Sequence, residues 1–208
     1  MRLSSGWIQQ VFQSKNRFMS GRPWFFLLCV FCVLCVKSSV RAADPCQSGL
    51  QPGQRPGPYA FVLSTGPERG VSHCYICETA ERPAVLIFAR ELSDQLGKLA
   101  QKIDKALIEH KKAGLRGWVT FLSNDQLGLD PKVVQWGQKH AIRSLPLGVF
   151  EDVGGPPSYR LARDADVTVL LFVKQKVVAN FAFRDAELGD EKTAEVMKAL
   201  PRIVGDKK

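Results

Sequence analysis

The apolar positions of this chain change their period along its length, and each change marks an element. Behind Pro83, the run Ala84-Val-Leu-Ile-Phe88 has no polar alternation and predicts a strand buried on both faces. The next stretch switches to three- and four-residue steps. Leu96, Leu99, Ala100, Ile103, Ala106 and Leu107 fall on one face of a helix over Ser93 to Lys112, with Ser93 as its cap and Gly114 as its stop. Trp118 to Leu122 predicts a second strand and Leu145 to Phe150 a third. Between them, Asp130-Pro131 supplies a cap and first position for a helix reaching about Lys139. Val167 to Val173 and Val177 to Phe183 predict a hairpin turning at Gln175-Lys176, and Asp190 to Leu200 a closing helix. Upstream, Tyr59 to Leu63 and Val71 to Ile76 predict two short strands around the turn Gly66-Pro-Glu-Arg-Gly70.

The order is a hairpin, then β-α-β-α-β, then β-β-α. Alternating strands and helices call for parallel strands covered by helices, and the last hairpin adds antiparallel edges. The pattern gives one α/β domain over residues 59–208, preceded by an extended Pro/Gly-rich lead-in at 43–58.

Residues 1–42 read as an address. Arg2, Lys15, Arg17 and Arg22 precede thirteen apolar residues, Trp24 to Val36, and Lys37 ends the run. A spanning helix needs roughly 20 apolar residues, so this run fits a signal peptide instead, with cleavage near Ala42 and export to the periplasm or beyond. Its removal also changes the charge. Six of the 29 basic side chains and none of the 20 acids lie there, so the net charge falls from +9 to +3. The basic balance therefore belongs to targeting, and no nucleic-acid partner is expected. Membrane contact is expected only through the signal peptide.

Cys46, Cys74 and Cys77 remain after cleavage, an odd number for an oxidising compartment. Three readings fit them. Cys74 and Cys77, spaced Cys-Tyr-Ile-Cys, can be a working dithiol, with Cys74 attacking, Cys77 resolving and His73 lowering the thiol pKa when cationic; Glu78 and Glu81 oppose that. Alternatively the sulfur is structural, in a non-catalytic binding or scaffold module. Closing a four-residue loop stabilises by roughly 2 kcal/mol, but a bridge from Cys46 closes about 30 residues and gives roughly 3.6 kcal/mol, which favours Cys46. In the third reading Cys46, His73, Cys74 and Cys77 form a Cys3His metal site, although adjacent ligands at 73 and 74 strain tetrahedral geometry. No cofactor is expected; Glu78 stands where haem attachment needs histidine.

Leu145-Pro-Leu-Gly-Val-Phe150, Pro157-Ser-Tyr159 and Asp166-Val-Thr-Val-Leu-Leu-Phe172, in this order of elements, resemble the thioredoxin superfamily, specifically its peroxiredoxin-like branch. The Cys-Tyr-x-Cys before an Arg-Pro-aliphatic strand is also similar to secreted thioredoxin-like proteins of planctomycete-type bacteria. The resemblance covers all of 43–208 and implies a three-layer α/β/α sandwich with a mixed central sheet and an N-terminal β-hairpin. The working-dithiol reading, in an exported chain, adds an envelope protein thiol or disulfide as the expected partner. The sequence departs from that family at its active site. Ser93 and Leu96 stand where the attacking and resolving cysteines belong, Val167 stands in the place of the cis-proline, and the peroxidase motif Pro-x-x-x-Thr-x-x-Cys is absent. The Cys74–Cys77 pair instead precedes the first buried strand. Arg90 and Glu91 follow that strand, where open sheets present ligands, and are candidates for shaping a cleft beside Ser93.

Overall fold

The computed structural model describes residues 44–184 and 187–205; the expected signal peptide lies outside them. Among the described residues no helix is long and apolar enough to cross a membrane. The described chain runs β1 (Phe61–Leu63), β2 (Ser72–His73), α1 (Tyr75–Thr79), β3 (Ala84–Ala89), α2 (Asp94–Glu109), β4 (Arg116–Leu122), α3 (Gln126–Lys139), β5 (Leu147–Phe150), β6 (Val167–Val173), β7 (Lys176–Phe183), α4 (Asp190–Ala199) and α5 (Pro201–Val204). One seven-stranded sheet has the order β2-β1-β5-β4-β3-β6-β7. β3 pairs in parallel with β4, and β4 with β5; β6, β7 and the β1–β2 hairpin join antiparallel.

β3 explains why its run never alternates. It is central, hydrogen-bonded to β4 and β6 at its edges, and a packed core lies on each of its faces. Val85, Ile87 and Ala89 join one core with α2, α3, α4 and α5. Ala84, Leu86 and Phe88 join the other with Leu50, Tyr59, Ile76 and Tyr159. Helices thus cover one face; the lead-in, α1 and the loop around Tyr159 cover the second. The lead-in is tied down despite its prolines. Asn180 donates to the carbonyls of Ser48 (2.7 Å) and Leu50 (2.8 Å), and Gly53 N–H donates to Val177 O (2.8 Å).

Besides the added short helix α5, two elements differ from the sequence expectation. The second short strand stops at His73, because Cys74 caps a helical turn that swings the chain back toward Pro83. α3 starts at Gln126 and not at Pro131. The Asp125 carboxylate accepts from Gly128 N–H (2.9 Å), so a cap five residues upstream starts the helix first. Pro131 then sits inside the helix, and the carbonyl it leaves without a donor belongs to Leu127, an exposed residue open to water.

Candidate functional site

Cys74 and Cys77 are joined in a disulfide, with their Cα atoms 5.4 Å apart. Cys74 is the N-cap of α1, and the N–H of Cys77 points at its sulfur at 3.3 Å. The two sulfurs are unequally placed: Cys74 packs partly buried against the second core, whereas Cys77 is exposed. Further along the turn, Thr79 Oγ1 donates to Tyr75 O (2.7 Å), and Arg82 donates to the carbonyls of Thr79 (3.2 Å) and Glu78. A guanidinium thus closes the C-terminus of this short helix, where a cation suits the exposed carbonyls.

His73 does not reach toward the sulfur with a free nitrogen. Nδ1 lies 3.3 Å from Glu68 and Nε2 lies 3.2 Å from Glu78, the latter without hydrogen-bond alignment. Its ring packs tilted against Tyr75, with centroids 4.3 Å apart. Tyr75 in turn lies flat on Trp118 at 5.3 Å. Burial, followed by the nearby carboxylates of Glu68 and Glu78, pushes the Tyr75 hydroxyl up to about 12. Around Tyr75 open two adjoining hollows of about 360 and 170 Å³. They share Tyr75, Ser144 and Pro146. The first adds Leu107, Leu115, Lys111 and Arg116, and the second Leu63, Glu68 and Arg143.

Cys46 stands apart. It is a free thiol near Asp164, Arg184 and Glu187, and burial, then the Asp164 charge, push its pKa up. The loop-length argument for a Cys46 bridge is therefore overturned: the short loop closes because the α1 turn already brings its two sulfurs together. The Cys3His site is not assembled either. Two of its sulfurs are bonded to each other, and among the described residues no group of three or more His, Cys, Asp or Glu is gathered to hold a metal ion.

At the C-terminal end of β3, where thioredoxins carry their cysteines, the residues serve structure. Ser93 Oγ accepts from Leu96 N–H (3.2 Å) as the cap of α2, and its carbonyl accepts from Trp136 Nε1 (3.1 Å). Arg90 spans the carbonyls of Ala165 (3.0 Å), Ala162 (3.0 Å) and Val153, which fixes the loop before β6. A hollow of about 120 Å³ lies there, lined by Glu91, Ser93 and Val167 among others. β3 is six residues long. At about 3.3 Å per residue it separates this end from the disulfide end by roughly 20 Å.

Sequence reasoning missed two groups. Asp94 meets Lys139 (2.6 Å) and His140 (3.3 Å), and the Lys139 hydrogen bond holds its carboxyl below the usual range. Asp104, buried on α2, accepts from three successive N–H groups, those of Arg143 (3.1 Å), Ser144 (2.6 Å) and Leu145 (2.7 Å). A signal for the second existed, since Asp104 follows Leu96 and Ala100 at four-residue steps on the apolar face.

No known family profile and no curated protein matches this chain in sequence. Solved structures do match in fold. A protein named as the thiol:disulfide interchange protein DsbE of Chlorobium tepidum is 14% identical, covers 73% of this chain and 99% of its own, and gives a TM-score of 0.53. A protein named as a protein disulfide isomerase of Bacteroides thetaiotaomicron is 17% identical over 74% of this chain and 94% of its own, with a TM-score of 0.54. A yeast mitochondrial 1-Cys peroxiredoxin is 12% identical over 74% and 77%, at 0.51. The chain has a thioredoxin-like α/β fold. At these identities the likeness is one of fold, and the chemistry has to come from the residues.

Proposed function

We propose that this chain is an exported thiol–disulfide exchange protein whose working pair is Cys74 and Cys77, placed at the opposite end of the sheet from the usual thioredoxin site. One observation carries the reading: a disulfide at a helix start, with one exposed sulfur and one that receives an N–H. An external thiolate arrives at the exposed Cys77 sulfur. The S–S bond breaks, its electron pair leaves on Cys74, and the Cys77 N–H supports that thiolate, which makes it the better leaving group. The partner is then bonded to Cys77. Its second thiolate attacks its own bonded sulfur and releases Cys77 as a thiolate. Two electrons have passed from the partner dithiol to the pair, and the partner holds the new disulfide. This order reverses the roles expected from spacing alone, in which Cys74 attacks.

The signal-like residues 1–42 and a formed disulfide support an oxidising compartment, with a protein thiol or disulfide of the cell envelope as partner. The test is a redox titration on the purified chain, with thiols mapped by mass spectrometry. A Cys74–Cys77 bond reduced between about −270 and −120 mV supports exchange. In Cys74→Ser, Cys77 should then hold a mixed disulfide with the partner, while Cys77→Ser accumulates far less. A bond that resists reduction below about −300 mV makes the sulfur structural, and the exchange reading fails.

A further inference from the structure

The hollows beside Tyr75 have an uneven chemistry. Their walls are apolar: Tyr75, Leu107, Leu115, Leu145 and Pro146. Ile108 on α2, which also lines the larger hollow, is 61% exposed. The rim of the larger hollow is charged with one sign. Lys111 and Arg116 border it and no acid does, while Arg143 and Glu68, the latter facing His73, border the smaller one. Among the described residues none of these three cations forms an ion pair, whereas most acids in reach are engaged: Glu68 and Glu78 face His73, and Asp104 holds backbone. Unpaired cations around an apolar floor fit a partner that brings a carboxylate beside an apolar side chain. The wall between the hollows is the residue that follows Cys74 in the chain, so whatever lies there is held next to the disulfide.

We propose that the two hollows are one groove that seats an extended, acidic polypeptide segment, its apolar side chain against Tyr75 and Leu115 and its carboxylates at Lys111, Arg116 and Arg143. The proposal rests on the exchange reading for the partner's purpose, which is to bring a thiol or disulfide to Cys77. Apolar contact supplies affinity, and the charges select acidic segments and speed their arrival.

The test uses cysteine-free probes, so that binding is read apart from exchange. A fluorescent, end-blocked peptide alternating Glu with Phe and Leu, and its counterpart with Lys for Glu, are titrated into the full chain. The acidic peptide should bind and weaken with added salt, and the basic one should not bind. In the variant Lys111→Glu/Arg116→Glu, affinity should fall by about tenfold or more, while reduction of the disulfide by dithiothreitol keeps its wild-type rate. These substitutions are on exposed side chains, and an unchanged melting curve checks the fold. Equal binding of both peptides, or of neither, overturns the groove. So does a dimer that the double variant dissolves, since a second copy would then be the occupant. If the acidic peptide binds but the disulfide resists reduction, the groove stands and the exchange reading falls; normal reduction without peptide binding gives the reverse.

Discussion

Single side chains decide how the cysteines pair and what lies beside them. A loop-entropy comparison ranks Cys46 first because it counts only the unfolded chain; it has no knowledge that Cys74 caps a helical turn that brings the two sulfurs together. The Cys74–Cys77 pair was plain from its spacing, and what the sequence misjudged was the preference of a structural bridge for Cys46. Asp104 shows the same lesson with the opposite outcome, because an acid on an apolar helical face announces a partner, although not which one. Its carboxylate gathers the N–H groups of Arg143, Ser144 and Leu145, in the loop that borders the hollows. Asp104→Ala should cost about 3 kcal/mol, the penalty for leaving such donors unsatisfied, and Asp104→Asn about half of that. Urea unfolding measures both. Equal stability of Asp104→Ala and wild type would mean that water replaces the carboxylate without loss.

At the scale of elements, long runs with a clear period were readable and short ones were not. β3, α2, β4, β6, β7 and α4 lie within a few residues of their expected bounds, because each commits five or more residues to one face or to both. β2 and α1 together span only eight residues, and in so short a stretch local capping outweighs hydrophobic period. The start of α3 was misplaced for a related reason, with the Asp125 side chain acting before Pro131 could. The hairpin that leads to α1 is held against β5 by a close approach. A Cβ on Gly148 would overlap the Val62 carbonyl and lie 2.7 Å from the Phe61 ring. Gly148→Ala should therefore destabilise the protein by about 1–3 kcal/mol through overpacking. Thermal melting checks this, and protease cleavage between residues 63 and 83 should rise in parallel.

For the molecule as a whole, the second face of the sheet is built on phenols. All three tyrosines lie there or border it, and each is raised above its ordinary value of 10.0, mainly by burial. Tyr59 accepts from Trp118 Nε1 (2.9 Å) and shares a hydrogen bond with Thr120 (2.7 Å), and Tyr159 donates to Gly57 O (2.7 Å). These pKa values are raised on folding. The stability they contribute is complete well below pH 10, before the unfolded phenols ionise, and it is lost as pH rises from there through the higher folded values. Native protein should thus show almost no phenolate absorbance at pH 10, where the unfolded chain is half ionised. Tyr75, pushed up to about 12, should titrate before the other two, and Tyr75→Phe should remove that first step. A native titration centred on 10 would contradict the burial that holds this face together.

The distance along β3 has a consequence for traffic between proteins. A redox enzyme shaped to grip a conventional thioredoxin closes on the C-terminal end of the strand. There it meets a capped serine and a clamped arginine, with the sulfur roughly a sheet's height out of reach. On the exchange reading proposed above, such enzymes are expected neither to charge nor to drain the Cys74–Cys77 pair. Its redox state would then be insulated from theirs, and the two could share one compartment at different poise.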